Sequence, residues 1–249
     1  MNFLVPLSDF NARELFYYGM LTAEPEFRLT QFLIRELRSD DVFFDIGANY
    51  GFYSGLALEL IEEGEVHTFE PNHKVTPFLR WNLSEYSESV TINELGVLNK
   101  NGKTQFYQSE GSSSVSSVKN KIIAESKLTF SEIKINTITL DKYISSNSEP
   151  TVLKIDVEGA ENLVIEGGKK ALQRSSPTVI IEIWDSDTID AKHQEAINQL
   201  KRFDYKPHIL TDKGKTNFTS NRDLFKNNSN LDCGYKNIVF KKENNKSGL

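Results

Sequence analysis

The chain is short of the features that mark several protein classes. It has one cysteine, Cys233, in 249 residues. No intramolecular disulfide can form, so a reducing, cytoplasmic setting is expected, and Cys233 reads as an ordinary small residue near the last strand. No apolar run approaches the roughly 20 residues of a membrane helix, which predicts no membrane span. The opening stretch MNFLVPLSDF lacks the charged segment and long apolar run of a secretory leader. Lys and Arg number 29 against 35 Asp and Glu, a net charge of −6. That balance argues against a nucleic-acid partner held by overall charge. The four histidines, His67, His73, His193 and His208, have no sequence partners that would complete a triad. No internal repeat is present.

What is there describes one α/β domain of ordinary composition, 38% hydrophobic and 26% charged. Helical apolar spacing predicts helices over 11–20 and 26–38, and then over 53–64, 74–86, 161–173 and 191–203. Between them lie short apolar or β-branched runs at 42–47, 65–71, 89–97, 151–159 and 177–184, with closing strands at 205–210 and 236–242. The middle of the chain reads as a turn and a short strand, a Ser/Gly loop over 111–118, and a β-branched stretch leading into a short helix over 134–144. Strands alternating with helices imply right-handed crossovers and a mainly parallel sheet covered on both faces. Ligands of such sheets sit beyond the carboxyl ends of the strands, at the switch point.

The run DVFFDIGANYGFYSG, residues 41–55, places small residues directly after a strand. Gly47 and Gly51 lack the Cβ that would block a ligand from the backbone, and the following helix start offers free N–H groups. A dinucleotide fingerprint would read G-x-G-x-x-G/A. Here Asn49 takes the place of the second glycine and Phe52 that of the third. No Gly-Lys-Ser/Thr follows, so the turn is not a phosphate loop either. Asp45 would repel a phosphate but could engage an ammonium. Glu70, at the end of the second strand beside Pro71, could accept hydrogen bonds from both ribose hydroxyls. An adenosine carrying an amino acid matches this pattern, and S-adenosylmethionine is such a molecule. The plain structural alternatives are tight strand–helix packing for the glycines, a cap for Asp45 and a solvated strand end for Glu70.

Together FFDIGANYGFYS, HTFEPN and LKIDVEGAENLVIEGG resemble the FkbM family of S-adenosylmethionine-dependent methyltransferases, from about residue 20 to residue 185. AEPEF (23–27) fits that family's N-terminal lead-in. The resemblance implies a class I methyltransferase (Rossmann-like) fold: a doubly wound, mainly parallel seven-stranded sheet whose last strand is antiparallel. A helical lead-in would occupy 1–40 and the S-adenosylmethionine-binding domain 41–249. It implies O-methylation of a sugar, glycan or natural-product hydroxyl. Asp45, Gly47, Asn49 and Gly51 would hold the methionine part, Glu70 with Pro71 the ribose, and Glu94 in NELG (93–96) would border the adenine. The serines of 111–118 would lie near the methyl donor. The family often carries Glu-x-His after the fifth strand, whereas Glu182-Ile183-Trp184 stands here.

An alcohol is a poor nucleophile until its proton has somewhere to go, so a general base is expected. Asp156, at the end of a central strand, is the first candidate. Glu158, two residues on, is the second, and Glu182 could complete an acidic cluster. Asp156 would also touch the donor. Glu161 is weighed between catalysis and helix N-terminal stabilisation, and Lys154 reads as a strand-edge cation. The three carboxylates could hold Mg²⁺ or Ca²⁺, but their spacing alone is no metal signature and no metal is assigned. The aromatics Phe16, Tyr17 and Tyr18 are expected either to dock the first helix on the sheet or to cover the acceptor. An NAD-dependent oxidoreductase and a non-catalytic binding protein are the rival readings. A homo-oligomer, the acceptor's identity and the site of methylation stay open.

Overall fold

The computed structural model describes residues 3–9, 12–109, 113, 116, 118, 129–184, 191–220 and 235–242. Cys233, most of the serine-rich loop and the last seven residues lie outside them. The strands in chain order are β1 (Val42–Ile46), β2 (Glu65–Phe69), β3 (Val90–Asn93), β4 (Gly96–Val97), β5 (Gly102–Ser109), β6 (Phe130–Ile138), β7 (Val152–Ile155), β8 (Thr178–Trp184), β9 (Tyr205–Leu210), β10 (Thr216–Phe218) and β11 (Tyr235–Lys242). Eight of them form the main sheet, in the order β10-β9-β11-β8-β7-β1-β2-β3. From β3 to β8 every pairing is parallel, and β11 is antiparallel to both its neighbours. The expected seven-stranded sheet is therefore present with one addition, the three-residue β10 paired antiparallel to β9. The chain enters at β1, builds outward to β3 and returns to β7 on the other side of β1. The switch point thus lies between β1 and β7.

Alternation along each central strand feeds two cores. Phe43, Val66, Val152, Ile180 and Val239 join one apolar cluster with Leu29, Phe32 and Leu33 of the helix Glu24–Glu36 and Ala57 of the helix Phe52–Leu58. Phe44, Ile155, Ile181, Ile238 and Phe240 join the other, with Val164, Ile165, Leu172, Ile197 and Leu200. Neighbours such as Phe43 and Phe44 point to opposite faces because side chains alternate along a strand. Each fully buried residue of this size contributes about 1.5–3 kcal/mol.

The helices are α1 (Ala12–Tyr18), α2 (Glu24–Glu36), α3 (Phe52–Leu58), α4 (Thr76–Asn82), α5 (Leu140–Tyr143), α6 (Glu161–Gly167), α7 (Lys169–Arg174) and α8 (Ala191–Arg202). Helix α2 packs on β9 and β11, from the far end of the chain. Helix α3 is shorter than its apolar pattern suggests, because the chain turns back after Glu59 so that Gly64 N–H bonds Ser39 O at 2.9 Å. The strand expected over 89–97 is two strands in different sheets. It breaks at Glu94-Leu95, and β4 joins β6 and β5 in a separate three-stranded sheet. No helix among the described residues is long and apolar enough to cross a membrane.

Candidate functional site

The switch point is closed backbone against backbone. Asp156 N–H donates to Ile46 O at 2.9 Å, continuing the β1–β7 pairing one residue past the end of β7. Gly47 follows with φ +83, and a Cβ there would lie 1.8 Å from the Asp156 carbonyl oxygen. Gly47 is thus required by the approach of the two strand ends. The chain then turns through Asn49 at φ 50 and Gly51 at φ 85 into α3.

Two cavities flank this turn. The first, about 90 Å³, is lined by Gly47, Asn49, Glu70, Pro71, Asp156 and Glu158, and by apolar walls from Leu95 to Leu98 and from the small sheet. The small sheet contributes Phe106 and Ile135, and Ser113, Ser116 and Val118 close another side. Glu70 is 7% exposed. Its Oε2 accepts the Asn49 N–H at 3.0 Å and its Oε1 accepts the Asn72 N–H at 2.8 Å. Burial pushes the Glu70 carboxyl up to about 7, and the two backbone donors only partly offset this. Ser113 Oγ donates to Asn49 Oδ1 at 3.0 Å, and Ser113 N–H donates to Asp9 Oδ2 at 2.8 Å. The same Asp9 oxygen accepts Tyr50 OH at 2.9 Å, so the N-terminal segment fastens the serine loop over the turn.

The second cavity is larger, about 310 Å³, and its far wall comes from the N-terminal segment through Ala12, Leu15, Leu21, Ala23 and Glu26. Gly47, Asn49, Asp156 and Glu158 line both cavities. Asp156, Glu158 and Glu182 each bring a carboxylate oxygen within 4.8 Å of the other two. Strand β7 stops at Ile155, so Glu158 does not continue its face. It reaches the cluster through a left-handed turn, φ 51 at Glu158 and 81 at Gly159. Glu161 Oε1 accepts the Gly159 N–H at 2.9 Å and so braces that turn, and His193 Nε2 stands 3.5 Å from Glu161 Oε2. Burial, then the nearby Asp156 charge, raises both Glu158 and Glu182 well above the usual carboxylate range. Three oxygens so placed could share protons, a cationic group or one divalent ion.

Lys154 lies beneath the cluster, 3% exposed. Its ammonium is 3.2 Å from Asp156 Oδ2 and 3.5 Å from Asp45 Oδ1, and 5.0 Å from the centre of the Tyr53 ring. Burial alone would lower its pKa, but Asp156, Asp45 and Glu26 outweigh that and raise it, so the ammonium stays charged.

Of the residues expected at the site, Gly47, Asn49, Glu70, Pro71, Asp156, Glu158 and Glu182 line the two cavities. Asp45 does not. It is fully buried below them, where Ser54 Oγ donates to its Oδ2 at 2.7 Å. Gly51 packs against Leu79 and Leu83. Glu94 turns outward to Arg80, 2.5 Å away, while Leu95 to Leu98 line the first cavity. Phe16, Tyr17 and Tyr18 are 55%, 67% and 68% exposed, and Ala12 and Leu15 make the inward face of α1 instead. Two residues read as incidental or overlooked belong to the site. Lys154 is its cation, and Glu26 is held in the second cavity by Tyr53 OH at 2.5 Å and Asn237 Nδ2 at 3.1 Å. The resemblance of AEPEF to the family's lead-in marked this stretch, but nothing in the sequence singled out Glu26 within it.

Comparison with known proteins gives a consistent result. The methyltransferase FkbM domain matches residues 45–207. The hexuronic acid methyltransferase AglP of Haloferax volcanii is 31% identical over 153 residues, covering 61% of this chain and 59% of that protein. The 2-O-methyltransferase NoeI of Sinorhizobium fredii is 27% identical over 150 residues, covering 55% of this chain and 61% of that one. The match thus spans about three-fifths of each relative's length. The crystal structure of methyltransferase FkbM from Methylobacillus flagellatus KT superposes with a TM-score of 0.56 at 13% identity, over 91% of this chain and 49% of that one. At that identity the likeness is one of fold.

Proposed function

Because the chain belongs to the methyltransferase FkbM family, we propose that it transfers a methyl group from S-adenosylmethionine to a hydroxyl of a sugar, glycan or natural-product acceptor. One observation carries the reading: the two cavities meet at Gly47, Asn49, Asp156 and Glu158, so a donor in one and an acceptor in the other share a boundary of carboxylates. The relatives' names, a hexuronic acid methyltransferase and a 2-O-methyltransferase, agree with an oxygen acceptor.

The lining of the first cavity, rather than its volume of about 90 Å³, suits this donor. Glu70 offers a carboxylate for the ribose hydroxyls, and the Leu95–Leu98 wall with Phe106 and Ile135 offers an apolar slot for the base. Asn49 and Phe52 stand where a dinucleotide turn needs its second and third small residues, and the carboxylates of Glu70, Asp156 and Glu158 line the cavity where a pyrophosphate would lie. That disfavours the NAD-linked reading. Gly47 and Asn49 border the methionine part. Asp45 acts from below through Lys154 and Ser54.

The donor supplies an activated methyl whose leaving group is a neutral thioether. The protein holds the acceptor oxygen in line and keeps water out. As the C–O bond forms and the C–S bond breaks, the electron pair goes to sulfur and the hydroxyl proton to the Asp156–Glu158 pair. Lys154 keeps its charge on Asp156 throughout. A positioned base of this kind is worth about 10²–10⁴ in rate.

The test is turnover. The protein is incubated with methyl-labelled S-adenosylmethionine and a panel of sugars, nucleotide sugars and lipid-linked glycans. Label transferred to a hydroxyl supports the reading, and S-adenosylhomocysteine binding without any transfer favours a non-catalytic binding protein.

A further inference from the structure

The turn that borders the first cavity is held from outside the sheet by the segment before α1. The Phe3 ring lies 5.9 Å from that of Phe52. Leu4 N–H donates to Asn82 Oδ1 at 2.7 Å, and Asn82 Nδ2 donates to Tyr50 O at 2.8 Å. Asp9 Oδ2 accepts Tyr50 OH at 2.9 Å. Val5, Ala12, Leu15, Tyr50 and Phe52 share one apolar cluster, so the segment, α1 and the turn pack as a unit. This segment and α1 lie outside residues 45–207, the part that matches the FkbM domain, so the match assigns them no task.

Asp9 is the joint of the arrangement. It is 7% exposed. Besides Tyr50 OH, its Oδ2 accepts the Ser113 N–H at 2.8 Å. Its Oδ1 accepts the N–H of Ala12, the first residue of α1, at 3.3 Å. A carboxylate suits this place, since its two oxygens take several donors and its charge strengthens each bond. Burial, then the Asp9 charge, raises the Tyr50 phenol, so Tyr50 stays a donor. From Ser113 the bonds run on into the first cavity. Ser113 Oγ donates to Asn49 Oδ1 at 3.0 Å, and Asn49 N–H donates to Glu70 Oε2 at 3.0 Å. Ser113, Asn49 and Glu70 line the first cavity, whereas Ala12, Glu14 and Leu15 line the second. One buried carboxylate therefore ties a wall of one cavity to the polar edge of the other.

We propose that Asp9 is a positioning residue: it sets Ser113 and Asn49 for the donor, and through it an occupied first cavity fixes α1, a wall of the second. The proposal rests on the reading of the first cavity as the donor's. Such coupling is reciprocal, so whatever orders one wall favours the order of the other.

The test is calorimetry with S-adenosylhomocysteine. Asp9→Asn keeps the shape but turns one acceptor oxygen into an amide NH₂, and should weaken binding at least about fivefold. Ser113→Ala cuts the same chain of bonds one step further on and leaves the Ser113 N–H on Asp9. It should cost about as much, and the double variant little more than either alone. A merely structural Asp9 would lower the urea midpoint and leave the affinity within about twofold, and that result overturns the proposal. So do losses that multiply in the double variant. Hydrogen exchange is the second measurement, and it holds even where Asp9→Asn loosens the segment. Saturation with S-adenosylhomocysteine should slow exchange of amides 16–19, at the end of α1, at least about threefold in the wild type and clearly less in saturated Ser113→Ala. No slowing in the wild type, or equal slowing in Ser113→Ala, overturns the proposal. A wild type that gives no heat with S-adenosylhomocysteine is a different failure: it strikes the donor reading itself, and the proposal falls with it.

Discussion

Gly47 and Asp156 meet without a side chain between them: a Cβ on Gly47 would sit 1.8 Å from the Asp156 carbonyl oxygen. The residue that opens the turn after β1 is therefore fixed by the strand that leads into the acidic cluster. Gly47→Ala must push β1 and β7 apart and also hold φ +83. It should cost more than about 3 kcal/mol in urea unfolding. Gly19→Ala, at φ +66 with open space around it, should cost only about 1 kcal/mol.

Glu70 links stability to pH. Its folded pKa is raised to about 7 from 4.5, so its stabilising contribution is full below about 4.5 and is lost as pH rises through about 7. Ribose hydroxyls donate to the ionised form. Donor binding should therefore release a proton near neutral pH, and S-adenosylhomocysteine affinity should strengthen between about pH 6 and pH 8. In Glu70→Gln both pH dependences should flatten. Calorimetry in buffers of different ionisation heat reads the proton count.

The Asp156–Glu158 pair should separate binding from chemistry. Asp156→Asn and Glu158→Gln should each lower kcat by about 10²–10⁴ while S-adenosylhomocysteine still binds within a few-fold. Full turnover in Asp156→Asn would remove that residue from the reaction.

Lys154 holds two carboxylates in a space that is nearly dry. Lys154→Met should destabilise the fold by about 3–5 kcal/mol, because Asp45 and Asp156 lose their counter-ion. Adding Asp45→Asn should recover part of that loss in a double-mutant cycle.

The turn and the acids that line the first cavity were legible because they are local. A strand, a turn of small residues and an acid at the end of the next strand fall within residues 42–70, and Asp156 follows from one more strand of the same kind. The second cavity is built from residues far apart in the chain. Glu26 is buried by Asn237, 211 residues away, and its helix shows only an apolar face toward the core. Lys154 looked like a strand-edge cation because the acids that bury it arrive on β1, β8 and α2. The small sheet was hidden because β4 is two residues long and pairs with β6, some forty residues later. The family resemblance points to Glu94, but it lies one residue past the end of β3, where its side chain meets Arg80 instead of lining the first cavity.

The donor cavity is the central claim, and titration of the folded protein with S-adenosylhomocysteine tests it most directly. The account predicts saturable one-to-one binding that Glu70→Ala weakens by at least about tenfold. A well-folded protein that gives no heat with either S-adenosylhomocysteine or S-adenosylmethionine would contradict it.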